Sequence, residues 1–247
     1  MATAHPSERF HPAHLAVFSV VDEHTSWIAS RRPRSWGRQV GASAQVCDQL
    51  PEERIDRAEV KRICADREAS AEQCFVAIMA WGGMRVDHGR RAWAIRKSWL
   101  AIIDDLRAAQ LTRREAYGRL TQLRRDHPGC GMGPAYYTKL IFFAAPAHDG
   151  YIMDQWTSLS VNLLVDSAPT LVALTSGQVR GVRYDRVADS NSPETYERFC
   201  SAIDQLAQDL SLGAEQIETR MFSQGGKRPG VWRQYLKTHR PPLVRRR

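Results

Sequence analysis

The sequence has little cysteine and no pattern in what it has. Cys47, Cys64, Cys74, Cys130 and Cys200 are odd in number, and no two stand as Cys-x-x-Cys. That usage argues against a structural zinc site, an iron–sulfur cluster or the disulfide framework of a secreted domain. No metal and no cofactor is therefore expected. Long apolar runs are missing too, so no segment reaches transmembrane length. The opening "MATAHPSERFHPAHLAVFSVV" places His, Pro and Glu where a secretory leader needs basic residues and then an apolar core. The expectation is a cytoplasmic protein with no membrane partner. Strand signals are also scarce: "YIM" before Asp154 is too short, and "QVRGVRYDRV" reads as a basic loop or extended link. No internal repeat is present.

What is there is a chain of 247 residues, 43% hydrophobic, enough for one well-buried main domain or for a core with a small appendage. Lys and Arg number 35 against 27 Asp and Glu, a formal charge of +8, and Arg245, Arg246 and Arg247 close the chain. A polyanion is a natural partner for such a surface, although a generally soluble basic protein has the same balance.

Helical patterns dominate. Residues 1–54 include "SRRPRSWGRQVGASAQ", without a clear period, and read as an irregular N-terminal extension. The organised domain, 55–247 with its basic tail, begins near Arg57. Ser70 with Gln73 and Thr112 with Glu115 form capping-box patterns, each followed by an apolar helix. Between them Ala92, Ile95, Trp99, Ile102, Ile103 and Leu106 recur at helical spacing. Ser192 and Pro193 start another helix whose Phe199, Ile203, Leu206 and Leu210 share one face, with Gly213 as its stop and a final helix over Ala214 to Ser223. The architecture expected is all-α, a bundle of eight to ten helices.

Within it, "GCGMGPAYYTKLIFF" stands apart. A helix over Arg113 to Asp126 ends at "HPG", and a second starts at Pro134, whose missing N–H would be unpaired at the first helical position in any case. The glycines between let backbone approach a ligand, and the N–H groups of Gly131, Gly133 and Ala135 would form a phosphate site at a helix start. The same residues would also suit a plain tight turn. Asp154 follows Gly133 by 21 positions and precedes the helix of Trp156, Leu159 and Leu163, where an N-cap role would account for it.

Taken together, the glycine hairpin and the later aspartate resemble the helix-hairpin-helix DNA glycosylase superfamily, and within it the 8-oxoguanine DNA glycosylase branch. "MFS" in "IETRMFSQGG" is similar to a Leu-Phe-Ser in the last helix of those enzymes. The resemblance covers Glu72 to Gly226. It implies a helical glycosylase-like fold and DNA as partner. It also implies that Phe222 stacks on a flipped base and that Glu218, one turn earlier, stands where those enzymes have a base-contacting glutamine. Asp154 becomes the catalytic carboxylate, because breaking an N-glycosidic bond develops positive charge on the sugar that a nearby carboxylate stabilises.

One departure changes the chemistry implied. Bifunctional members carry a catalytic lysine two positions after the second hairpin glycine, where this chain has Ala135. Lys139 lies one turn further along the same helix face. Three roles are open to it: a displaced nucleophile, a contact to phosphate or base, or a structural partner of Asp154 or Glu218. Tyr136, Tyr137 and Trp156 are either further base stackers or aromatic core. Arg90 and Arg91, with Arg180 and Arg183, either attract phosphate or face solvent. The expected function is a monofunctional DNA glycosylase acting on a damaged or modified base, in repair or antiphage defence. The alternative is a noncatalytic nucleic-acid or nucleobase-binding accessory of a bacterial defence or modification system.

Overall fold

The structure, a computed structural model, describes residues 7–21, 31–179, 181–223 and 229–240. Among them run α1 (Pro12–Ser19), α2 (Pro33–Val40), α3 (Ala44–Asp48), α4 (Arg57–Ala65), α5 (Ala71–Trp81), α6 (Val86–Ala94), α7 (Arg96–Arg107), α8 (Arg113–Asp126) and α9 (Pro134–Ala144). They continue with α10 (Gln155–Leu164), the strands β1 (Leu174–Val179) and β2 (Val182–Val187), α11 (Pro193–Asp209), α12 (Ala214–Phe222) and α13 (Val231–Thr238). The chain divides into two compact units, one of Ser26–Tyr151 and one of Met1–Thr25 with Ile152–Arg247.

In the unit Ser26–Tyr151, α5 is the central rod. All of Ala71–Trp81 except Glu72 is buried, as expected of a helix apolar on every side. Helices α2, α4, α7 and α9 pack around it. The expected capping boxes are both formed, Ser70 with Gln73 on α5 and Thr112 with Glu115 on α8. Helix α9 is nearly as buried as α5, so its sequence was apolar for packing as well as for any ligand.

The irregular N-terminal extension is corrected here: α2 and α3 are ordered helices that belong to this core. Pro33 opens α2, Trp36 and Val40 are buried, and the Trp36 indole donates to the carbonyl of Met84 at 2.9 Å. A side chain at Gly89 would meet Trp36 at 2.6 Å, so α6 accepts the indole only because that residue is glycine. Of the arginines in "SRRPRSWGRQ" only Arg34 and Arg38 fall within α2, and eight residues are too few to show a period.

The other unit is organised on α10, against which α11, α12, α13, α1 and β2 all pack. Ser192 caps α11 through its hydroxyl, as expected, with Pro193 at the first helical position. The segment expected as a basic loop is instead an antiparallel hairpin, paired from Leu174↔Val187 to Val179↔Val182. Its alternation is the cause: Val187 and Asp185 point inward and are buried, while Val182, Tyr184 and Arg186 point outward. Helix α13 was not foreseen; its buried Trp232 stacks on Tyr235 at 5.4 Å and donates to the Ser160 hydroxyl on α10 at 2.8 Å.

Candidate functional site

The candidate residues fall in two groups, one on each unit. In the unit Ser26–Tyr151 the helix–turn–helix is present as expected, with α8 ending at Asp126 and α9 starting at Pro134 after N-cap Gly133. Gly131 has φ +83°, and a Cβ there would lie 2.5 Å from the carbonyl oxygen of His88. This glycine is demanded twice, by its left-handed backbone and by the close passage of α6. Gly133, at φ −147° and ψ 178°, is in extended backbone open to any residue.

The amides of Tyr136 and Tyr137 both return to the carbonyl of Gly133, at 2.8 and 3.1 Å. Those of Gly131, Gly133 and Ala135 have no hydrogen-bond acceptor among the described residues. Three donors are thus left over at the start of an 11-residue helix, the arrangement that binds an anion.

Arginines outside the turn are already engaged. Arg90 donates from Nε to the carbonyl of Gln39 at 2.9 Å, and Arg91 lies 3.7 Å from the Asp87 carboxylate; both remain exposed. Tyr136 is half-buried, and burial pushes its phenol up while Arg31 and Arg85 pull it down, the net being upward. Tyr137 is a core residue, 1% exposed and edge-on to Tyr117 at 5.6 Å, and its candidacy as a base stacker gives way to that packing.

Lys139 is 8% exposed. Its stem lies over Gly82, where a Cβ would come within 2.8 Å of Lys139 Cδ, and its Nζ donates to the carbonyl of Ala135 at 2.8 Å. The ammonium also sits 5.6 Å from the centre of the Tyr136 ring. The long stem is thus folded back along its own helix.

In the other unit Asp154 caps α10. Its Oδ1 accepts from the amides of Trp156 at 2.8 Å and Thr157 at 3.2 Å, and the Thr157 hydroxyl accepts from the amide of Asp154 at 3.0 Å. Every one of its carboxylate bonds falls on Oδ1. Oδ2 accepts none among the described residues, and the residue is half-buried. One oxygen fixes the carboxylate at the helix start, and the other is left outside the cap.

Beside it, a cation joins two of the expected base-pocket aromatics. The guanidinium carbon of Arg233 lies 4.2 Å from the centre of the Trp156 ring and 4.8 Å from that of Phe222. Arg240 lies 5.0 Å from Trp156, and its Nη1 is 3.0 Å from Oδ2 of Asp185. Asp185 is buried, which raises its carboxyl. The hydrogen bonds of Arg183 and Ser176 and the charges of Arg183 and Arg240 outweigh this and hold it below the usual carboxylate range. Arg183 therefore serves an internal ion pair, at 3.0 Å, before it serves any ligand. Arg180 and the closing arginines lie outside the described residues. Glu218 is 1% exposed on α12, one turn before Phe222.

Arg233, Arg240 and Asp185 escaped the sequence reading. The only local signal was an arginine set among aromatics in "VWRQYL", which is also how an ordinary amphipathic helix reads.

A helical fold with a glycine hairpin ahead of a buried helix, and an aspartate capping another, is that of a DNA glycosylase-like protein. Over residues 20–222 the chain matches the family described as "Putative 8-oxoguanine DNA glycosylase OGG-like protein", and it belongs to that family. The match includes α2 and α3, which the motif resemblance had left out, and stops at Phe222, short of α13. No curated protein and no solved structure gives a significant match to the chain. No helix among the described residues is long and apolar enough to cross a membrane.

Proposed function

We propose that this protein is a monofunctional DNA glycosylase that hydrolyses the N-glycosidic bond of a damaged or modified base, with Asp154 as its catalytic carboxylate. The observation that carries this is the division of labour in that carboxylate, Oδ1 held by two helix amides and Oδ2 without a donor among the described residues. As the C1′–N bond breaks, its electron pair leaves with the base and positive charge builds on the sugar. A carboxylate oxygen of fixed position stabilises that charge without reorganising, and water then adds to C1′, losing its proton. The product is a free base and an intact abasic sugar.

Two further observations support the reading. The amides of Gly131, Gly133 and Ala135, without an acceptor among the described residues, suit a DNA phosphate, a contact that positions DNA without reading sequence. Lys139 directs its Nζ at the carbonyl of Ala135, 2.8 Å away and back along its own helix, which suits a role other than nucleophile. The test is mass spectrometry of bases released from duplexes carrying oxidised, alkylated, deaminated or phage-type modified bases. Release of one class in amounts stoichiometric with abasic sites supports the proposal, and release of none from the whole panel rejects it.

A further inference from the structure

Arg233 is a charged side chain only 7% exposed, on a helix beyond the family match, and it touches both aromatic residues that flank the candidate chemistry of its unit. Its Nη2 donates to the carbonyls of Phe222 and, at 2.8 Å, of Ser223. Its backbone amide donates to the Ser223 hydroxyl at 3.3 Å. Ser223 itself has φ +51°, a left-handed backbone that a serine adopts only when its surroundings hold it there. The last turn of α12 is thus closed by one side chain that bonds its terminal carbonyls and packs on its terminal ring.

Burying a guanidinium is costly unless its donors and faces are satisfied. Here the guanidinium lies over two rings and its Nη2 bonds two carbonyls, which offsets much of that cost although Nε has no hydrogen-bond acceptor among the described residues, a combination that suits a flat, multi-donor cation. Lysine has no plane, and an apolar chain has no donors. The same contacts also settle where a base can go. Ring surface of Trp156 and Phe222 that meets the guanidinium is not open to a flipped base, so the two rings do not close on a base from both sides while Arg233 stays in place.

We propose that Arg233 is the positioning residue for Phe222: it fixes the orientation of that ring relative to Trp156 and so to Asp154, two residues before Trp156. This rests on the glycosylase reading only for the consequence in base release. The positioning itself is a property of the unit and is measurable without a substrate.

The experiment uses the full chain with 4-fluorophenylalanine at position 222, as wild type, Arg233→Met and Arg233→Lys, each checked by circular dichroism for retained helix content. Methionine keeps an unbranched stem in the slot; lysine keeps the charge without the plane. The wild type should give one narrow fluorine line, and Arg233→Met a shifted or divided one. Single-turnover base release should slow by about 10- to 100-fold in Arg233→Met, as expected for a misplaced binding group, with duplex affinity within about twofold of wild type. Arg233→Lys should fall between. An unchanged fluorine line overturns the proposal, and so does a moved line with base released at the wild-type rate. If Arg233→Met unfolds, the lysine variant and a lower assay temperature carry the same two readings. A wild type that releases no base rejects the glycosylase reading alone, and the fluorine line then decides whether Arg233 holds the ring.

Discussion

Lys139 donates to the carbonyl of Ala135 at 2.8 Å, so the one lysine of α9 is bonded to the residue that stands where bifunctional relatives of this fold carry their nucleophile. A lysine forms an imine only when the lone pair of its neutral amine faces the sugar carbon, and an Nζ turned to its own helix is not so placed. We expect no borohydride-trapped protein–DNA adduct and no strand break until alkali is added. Lys139→Gln should change substrate affinity or base choice more than product. A trapped adduct that disappears in Lys139→Gln would show an imine mechanism.

Gly131 should be the most sensitive position of the turn. A methyl group there meets the His88 carbonyl and also forces a non-glycine residue to φ +83°. Gly131→Ala should lower stability by about 2–4 kcal/mol, seen as an earlier midpoint in urea at unchanged slope. A loss under about 0.5 kcal/mol would mean that α6 and the turn move apart easily.

Much of the fold was legible because local chemistry and packing agree. Ser70, Thr112 and Ser192 announced their helices by caps, and α7 and α11 showed an apolar period. The hairpin was missed because its strands are only six residues each and one outward face carries Val182 and Tyr184 beside arginines. Helix α2 was missed because its core contacts, Trp36 on Gly89 above all, join positions 53 apart in sequence. Within the candidate site, Asp154 and the hairpin drew notice through their resemblance to a glycosylase pattern, whereas Arg233 belongs to no such pattern. Nothing local distinguishes a buried, ring-packed arginine from a solvated one, since its partners Trp156 and Phe222 come from two other helices.

Asp185 tests the ionic ties of the C-terminal unit. Its carboxylate is fully buried and joins Arg183 and Arg240, each at 3.0 Å, so Asp185→Asn removes the negative charge that both cations face. Removal of one partner of such a cluster costs about 3–5 kcal/mol. Chemical denaturation should show a loss in that range, while a change below about 1 kcal/mol would mark the cluster as exposed and screened in solution.

Acid should loosen the same unit well before carboxylates titrate. His14 bonds the Tyr235 hydroxyl at 2.9 Å and lies 4.3 and 5.4 Å from the rings of His11 and His239. Burial first, then those two imidazoles, lower its pKa from the ordinary 6.5. The unfolded chain therefore takes up the proton first as pH falls. The stabilising contribution is complete above pH 6.5 and is lost as pH drops through the lowered folded value. Melting temperature should begin to fall below about pH 6.5 and do so less in His14→Gln, which keeps a polar partner for Tyr235. A His14→Gln profile that overlays wild type would remove His14 as the cause.

The central claim rests on Asp154, and the most direct measurement is base release by wild type and Asp154→Asn on one substrate. Asparagine keeps the size and a capping oxygen, so stability should change by no more than about 1 kcal/mol and duplex binding should persist. The loss of negative charge under the sugar should cut base release at least about 100-fold, with free base and abasic site declining together. An Asp154→Asn protein that folds, binds DNA and releases base at the wild-type rate would contradict the account and leave Asp154 as a helix cap.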